Sequence, residues 1–238
     1  GFRLRSGDAF LSRFARFVAA KRHRGPLTAE LMAEWVRTAK DGHGDADTWA
    51  RSWGRLRHFI CYLQQFEPDT EVPEASLFGP EPGRVAPHIY HDDEIVELLA
   101  AARTLGPTGS IRPFTYETLF GLMASTGLRV SEAIHLRDAD VDLKRGMLTI
   151  RQTKFAKSRQ LPIHPSTVKA LARYRKLREQ HLPTTSDMPL LVGSRGRRLG
   201  LPLGERQAHR VFTGLRDSLD WVNRGGHDVP RLHDLRHT

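Results

Sequence analysis

Apolar side chains recur every three or four residues in three stretches near the start of the chain, the spacing of one face of an α-helix. The stretches contain Phe10, Phe14, Phe17 and Val18, then Leu31, Met32, Trp35 and Val36, and then Trp49, Trp53, Leu56, Ile60 and Leu63. Short polar links separate them, as at residues 41–44. The pattern predicts a small domain of three or four helices over residues 1–70.

The periodicity stops between Glu67 and Pro87, where five prolines interrupt an acidic stretch. Such a composition is typical of a segment that connects two folded regions. Helical spacing then resumes, first through Ile95, Leu98 and Leu99 and next through Phe114, Leu119, Leu122 and Met123. We therefore interpret residues 71–87 as a linker and residues 88–238 as a second domain.

The pattern changes again after Asp138, where short β-prone runs lie at residues 141–143, 147–150 and 161–163. Polar residues separate the runs, which predicts a three-stranded antiparallel meander with Lys154 near the tip of its second hairpin. Helical spacing returns after Pro165, and a further helix is predicted from Glu205 to Trp221. The predicted fold class is mainly α with a small antiparallel β-sheet.

Composition narrows the possible partners. No apolar run approaches the roughly 20 residues that a membrane-spanning helix needs, and the first residues lack the apolar segment of a signal peptide. We therefore expect a cytoplasmic, nucleoid-associated protein with no membrane partner. The net charge is +10, and between Arg151 and Arg216 basic residues outnumber acidic ones by 15 to 3. A solvated charged surface is one explanation, but so local a bias favours a nucleic-acid partner, because clustered cations release counterions from phosphates.

Three short motifs in the second domain carry groups that could do chemistry: residues 126–132 (TGLRVSE), 154–159 (KFAKSR) and 233–237 (HDLRH). Each has an ordinary structural explanation when it is taken singly. Arg129 could be a surface arginine after a turn, Lys154 a solvated hairpin lysine, and His233 a structural hydrogen-bonding residue. Their order along the chain is what favours a functional interpretation.

In that order, with the meander between the first motif and the last, Arg129, Lys154 and the His233/Arg236 pair resemble the active-site series of the tyrosine recombinase and phage integrase family. The resemblance covers nearly the whole chain. Residues 1–70 resemble the family's helical core-binding domain, and residues from about 88 onward resemble its α+β catalytic domain. It implies site-specific recombination or integration of DNA by strand cleavage and religation.

The resemblance also implies a role for each matched residue. Attack on a DNA phosphodiester places extra charge on the nonbridging oxygens, which Arg129 and Arg236 would stabilise. Lys154, the first residue of a K-x-x-K-x-R string, would protonate the departing 5′ oxygen. His233 would assist proton transfer or position the phosphate, and Glu132 would orient its neighbours.

In the family a tyrosine hydroxyl attacks the phosphate and forms a 3′-phosphotyrosine bond without ATP or metal, so no cofactor and no metal are expected. The chain's tyrosines are Tyr62, Tyr90, Tyr116 and Tyr174, and all precede His233, whereas the family's nucleophile follows it. We therefore expect that the chain is truncated before its nucleophile, and that it binds DNA without cleaving it.

The expected partner is double-stranded DNA. The candidate backbone contacts are basic residues of the second domain, namely Arg151, Lys157, Arg159, Arg173, Arg195, Arg197 and Arg198. The resemblance implies a homotetramer on DNA for the full-length protein, assembled by exchange of a C-terminal element. Because that element is not among these residues, we expect the chain itself to be monomeric.

Two other functions stay open at this point. His233 and His237 form a near match to H-E-x-x-H, in which two histidines bind zinc and an acid activates water. A zinc hydrolase would need Asp234 in place of the glutamate and would leave Arg129 and Lys154 without a role. A non-catalytic DNA-binding protein on the same scaffold would keep the basic surface, although the intact motifs argue against it. A type IB topoisomerase shares the chemistry but fits the helical domain and TGLRVSE less well.

Overall fold

The computed structural model describes residues 5–38, 45–81, 83–151, 158–185, 187–194 and 196–238. Packing of the backbone divides the chain into two compact units, Gly1–Arg84 and Val85–Thr238. No helix in these described ranges is long and apolar enough to cross a membrane.

The first unit is built from three helices within its described residues: α1 (Arg5–Ala20), α2 (Ala29–Thr38) and α3 (Ala46–Leu63). Their predicted apolar faces meet in one core around Trp35, which is almost fully buried. The rings of Phe10 and Phe14 contact Trp35 edge-on, with centroid distances of 4.9 and 5.1 Å. The helical character predicted for this region is therefore confirmed.

The acidic, proline-rich segment that follows packs against this helical core. Val72 and Phe78 cover the apolar cluster, and the indole Nε1 of Trp53 donates to the carbonyl of Glu74 at 2.6 Å. The backbone division between the units accordingly falls after Arg84, so much of the predicted linker lies on the first unit.

The second unit surrounds one central helix, α5. Its α-helices are α4 (Asp92–Arg103), α5 (Arg112–Thr126), α6 (Val130–Ile134), α7 (Pro165–Glu179) and α8 (Glu205–Arg216), and short 3-10 helices span Asp138–Asp140, Gly196–Arg198 and Leu232–His237. Helix α5 packs against α4, α6, α7 and the last 3-10 helix. Because it has neighbours on several sides, its residues Leu119, Phe120 and Met123 are completely buried.

A small sheet lies beside these helices. Strands β1 (Val141–Asp142), β2 (Met147–Ile150) and β3 (Arg159–Pro162) pair antiparallel in the order β1-β2-β3. The pairing of β2 with β3 ends at Ile150 opposite Arg159. The predicted meander and fold class are thus confirmed, while Lys154 falls in residues 152–157, outside the described part of the chain.

Helix α8 is shorter than predicted, because it ends at Arg216 and not at Trp221. The chain turns back after Asp217, and the Trp221 ring packs edge-on against Tyr90 at a centroid distance of 5.4 Å. The Trp221 indole also donates to Glu97 at 3.0 Å. These long-range contacts stabilise the turn where the local sequence pattern would allow the helix to continue.

Candidate functional site

Arg129 is placed by a tight turn between α5 and α6. Gly127 adopts the left-handed conformation (φ 64°, ψ 18°) and its amide donates to the carbonyl of Met123 at 2.9 Å, which ends α5. Leu128 is completely buried in the core, and Arg129 then takes the extended N-cap position of α6. Glycine permits the turn, leucine anchors it, and the arginine side chain remains 40% exposed.

The carboxylate of Glu132 is saturated with hydrogen bonds. Its Oε1 accepts from Nη1 of Arg129 at 3.0 Å and from Nη1 of Arg159 at 3.1 Å. Its Oε2 accepts from the Arg129 amide at 3.0 Å and from Nη2 of Arg159 at 3.0 Å. A carboxylate offers about four lone-pair sites, so Glu132 has none left for another donor.

The protonation of Glu132 follows from these contacts. Burial acts to raise the pKa of the carboxyl, but the hydrogen bonds from Arg159 and from the Arg129 amide outweigh it, and the pKa lies below its usual range. Glu132 therefore stays ionised and can orient Arg129, but it has no proton to donate at neutral pH.

His233 and Arg236 are placed by the 3-10 helix Leu232–His237. Side chains three apart eclipse in a 3-10 helix, so Leu232 and Leu235 share one face and His233 and Arg236 share the next. The two leucines are buried in the core, which leaves His233 exposed and Arg236 half-buried. The apolar spacing of the motif thus sets the direction of its two polar side chains.

The first and last motifs meet at Gly127. A β-carbon at Gly127 would lie 3.4 Å from the carbonyl oxygen of Arg236, so the turn that precedes Arg129 packs directly against the helix that carries His233 and Arg236. The Nε atom of Arg236 is buried and has no hydrogen-bond partner among the described residues. A buried donor without a partner is costly, and an anion bound at this position would satisfy it.

His233 has a lowered pKa. Although His233 is exposed overall, partial desolvation of its imidazole against the protein is the main cause, and the charges of Arg236, His237 and Arg231 act in the same direction, while Asp234 opposes them. The ring is consequently neutral at neutral pH and can exchange a proton with a neighbouring oxygen.

Asp234, between these two residues, is fully buried and holds the start of the 3-10 helix. It accepts from the Arg231 amide at 3.0 Å and from Nη2 of Arg231 at 2.8 Å, and also from the backbone amide of His88. Burial acts to raise its pKa, but the hydrogen bonds from Arg231 outweigh it and the pKa is lowered. Sequence reasoning did not assign this role to Asp234, although the spacing of Arg231 and Asp234, three residues apart, was an available signal.

The zinc hypothesis fits these contacts poorly. It requires Asp234 to activate water, yet this carboxylate is completely buried and ion-paired with Arg231. The ring centroids of His233 and His237 lie 5.7 Å apart, in an edge-on contact. Within the described part of the chain, no group of three or more His, Cys, Asp or Glu residues is arranged to hold a metal ion.

The candidate DNA contacts occupy different environments. Arg151 forms an ion pair with Asp140, Arg159 with Glu132 and Arg173 with Glu117. Arg151 also lines a cavity of about 750 Å³ together with Arg129 and Glu132. Lys157 and Arg195, like Lys154, lie outside the described residues.

Arg197 and Arg198 are exposed in the 3-10 helix Gly196–Arg198. Arg198 lines a second cavity, of about 440 Å³, with Arg112, Arg206 and Arg210. Sequence reasoning missed these three arginines. The available signal was the spacing of Arg206 and Arg210, one turn apart on α8 and separate from its buried positions at Ala208, Val211, Phe212 and Leu215.

Residues 89–238 match the phage integrase family. The chain is 36% identical over 240 residues to the putative integrase/recombinase y4rB of Sinorhizobium fredii, and the alignment covers 100% of this chain and 74% of that protein. It is 33% identical over 228 residues to the tyrosine recombinase XerC of Rhodospirillum centenum, with 90% of this chain and 64% of that protein covered.

Solved structures share the fold at lower identity. The Tn1549 transposon integrase in complex with a circular intermediate DNA superimposes with a TM-score of 0.70 at 14% identity, over 100% of this chain and 80% of that one. A lambda integrase tetramer bound to a Holliday junction gives a TM-score of 0.62 at 18% identity, over 100% and 66%. The chain therefore belongs to the phage integrase family, the tyrosine recombinases of site-specific DNA recombination.

Proposed function

We propose that this chain supplies the charge-stabilising and proton-transfer groups for cleavage and religation of a DNA phosphodiester through a 3′-phosphotyrosine intermediate. The observation that carries the proposal is the contact between Gly127 and Arg236, because it joins the two motifs that hold the arginines. The buried Nε of Arg236, which has no partner within the described part of the chain, supports it, since a phosphate oxygen is an acceptor for such a donor.

The two arginines act on the nonbridging oxygens. The attacked phosphate gains negative charge in its pentacoordinate state, and guanidinium groups that are already oriented stabilise that charge without reorganisation. Glu132 holds Nη1 and the amide of Arg129, so the rest of the guanidinium can face the phosphate. Arg236 binds a second oxygen of the same phosphate.

Proton transfer falls to Lys154 and His233. We propose that Lys154, on the connection between β2 and β3, protonates the departing 5′ oxygen as general acid. His233 is neutral at neutral pH because its pKa is lowered, so it can accept a proton from the attacking hydroxyl or hold the phosphate by a hydrogen bond.

The nucleophile comes from outside these 238 residues. Tyr90, Tyr116 and Tyr174 are buried in the core, and burial raises the pKa of each hydroxyl. The Tyr90 hydroxyl also donates to the carbonyl of Arg231 at 3.0 Å. Tyr62 is exposed on α3, but it belongs to the first unit. None of the four matches the family position, which follows the histidine motif.

The partner is double-stranded DNA, held through phosphate contacts by Arg197, Arg198 and the other candidate backbone contacts of the second unit. In this assignment residues 1–70 form the core-binding domain, 71–87 the linker and 88–238 the catalytic domain. Lambda integrase forms a tetramer in its Holliday junction complex, and we propose the same assembly for the full-length protein and a monomer for this chain. A non-catalytic DNA-binding protein is the alternative that the experiment must separate.

The test uses the natural full-length gene product with its tyrosine, incubated with DNA from the ends of its own genetic element. We expect a covalent protein–DNA adduct that is lost in Arg129→Ala and in Arg236→Ala. Arg145→Ala is the matched control, because Arg145 lies 84% exposed in the β1–β2 turn and its loss leaves adduct formation unchanged. An adduct that persists in both active-site variants would refute the assignment, and DNA binding without any adduct would support the non-catalytic alternative.

A further inference from the structure

Arg159 was predicted as a contact to the DNA backbone, but its guanidinium forms an ion pair with the carboxylate of Glu132. We propose that Arg159 is a positioning residue of the active site, which acts through Glu132 on Arg129. The inference rests on the proposed function and adds to it a residue that orients Arg129.

The contact has fork geometry. Nη1 and Nη2 of Arg159 each donate to a different oxygen of Glu132, at 3.1 and 3.0 Å. This is the edge with which an arginine would otherwise bind a phosphate by two parallel hydrogen bonds. A carboxylate that is only 8% exposed already occupies that edge, so binding DNA through it would require the ion pair to break.

The charges explain why a second arginine is needed. Glu132 holds Arg129 in place, but its negative charge also cancels the positive charge that Arg129 must offer to the phosphate. Arg159 adds one positive charge to the same carboxylate. The cluster of Arg129, Glu132 and Arg159 is thus positive by one charge, and Arg129 is both oriented and electrostatically effective.

Arg159 also connects the sheet to α6. It pairs with Ile150 at the last position of the β2–β3 ladder. The ion pair with Glu132, on α6, therefore ties the end of β3 to the helix whose N-cap is Arg129. The sheet thus holds the carboxylate that orients Arg129.

The experiment is a double-mutant cycle in the natural full-length gene product, with single-turnover cleavage measured at saturating protein. The variants are Arg159→Ala, Glu132→Gln and the two combined, with Arg159→Lys as the charge-conserving form and Arg145→Ala as the control. We expect Arg159→Ala to slow cleavage about 10- to 100-fold, the usual effect of removing a partner that orients a functional group. Arg159→Lys keeps the charge, loses the fork, and recovers part of that rate.

Two results separate positioning from DNA contact. If Arg159 acts through Glu132, the double variant cleaves no more slowly than Glu132→Gln alone, and DNA affinity and its salt dependence stay within about twofold of wild type. If Arg159 is a phosphate contact, Arg159→Ala weakens DNA binding and lowers the slope of log K against log salt by about one, with an unchanged rate at saturation.

Weaker DNA binding with an unchanged cleavage rate overturns the inference. So does a double variant whose loss of rate is the sum, in free energy, of the losses in Arg159→Ala and Glu132→Gln. A thermal melting transition shows whether each variant is folded. If Arg159→Ala does not fold, the cleavage rate of Arg159→Lys is used instead. Failure of the proposed function would be visible separately, because wild-type protein would then form no covalent adduct.

Discussion

Gly127→Ala perturbs the point where the two active-site motifs meet. Gly127 has φ 64°, a conformation that costs an L-residue with a β-carbon roughly 1–2 kcal/mol. Alanine recovers part of this, about 0.4–1 kcal/mol, because it restricts the unfolded chain. The added β-carbon would lie 3.4 Å from the Arg236 carbonyl oxygen, at the edge of ordinary contact, so it adds little to this balance.

The net expected loss of stability is about 1 kcal/mol, which for a unit of this size lowers the melting temperature by roughly 2–4 °C. The expected loss of activity is larger. Any relaxation that relieves the strained φ of the alanine moves the neighbouring backbone of Arg129 or the packed backbone of Arg236, and small displacements of catalytic groups reduce rates steeply. We expect DNA cleavage by the full-length protein to slow by about tenfold or more.

Gly146→Ala is a matched control within the same unit. Gly146 has φ 63°, and a β-carbon there would lie 3.5 Å from the carbonyl oxygen of Ile163. The backbone penalty is therefore almost the same, but the contacted residue is not one that we place in the active site. We expect the same fall in melting temperature with cleavage close to wild type.

The melting temperature of the second unit is measured by calorimetry of the chain. The cleavage rate is measured by single-turnover adduct formation by the full-length protein, at a temperature well below melting. Equal losses of cleavage in the two variants would show that global stability, and not the contact with Arg236, is responsible. A Gly127→Ala variant as stable and as active as wild type would refute the assignment of the turn.

Three further predictions concern the ionisable groups of the site. Asp234→Ala should destabilise the second unit by about 1–3 kcal/mol in urea titration, because it leaves the Arg231 amide without its acceptor, while the half-exposed Arg231 guanidinium can be solvated; a loss below about 0.5 kcal/mol would contradict this. The folded-state pKa of Glu132 is lowered, so the stability it provides is present above its unfolded pKa of about 4.3 and is lost as pH falls through the folded value. Glu132→Gln should therefore be less stable than wild type at pH 7, with the difference vanishing in acid. For His233, NMR titration should give a midpoint below 6.5 that rises in Arg236→Ala, since the Arg236 charge contributes to the lowered pKa; an unchanged midpoint would count against their proximity.

Much of the fold was predictable from local patterns. The spacing of Phe10, Phe14 and Trp35 identified the first helices, and the β-prone runs identified the meander. Such patterns are readable because a helix or strand buries one face, which imposes a period of three to four or of two residues on its own sequence. The order of the motifs around Arg129 and Arg236 was likewise visible, because family resemblance is carried by short contiguous strings.

The use of each charged residue was decided by tertiary structure. In the sequence Arg159 and Arg178 belong to one basic run, yet Arg159 binds Glu132, while Arg178 is completely buried and donates to the carbonyl of Leu190 at 2.9 Å. Neither environment has a local signature, because the partner lies on another element and the contact depends on how those elements pack. The sequence alone determined which elements form and which motifs are present; packing alone decided that Arg159 pairs with Glu132, that Arg178 is buried, and that the Nε atom of Arg236 has no hydrogen-bond partner among the described residues.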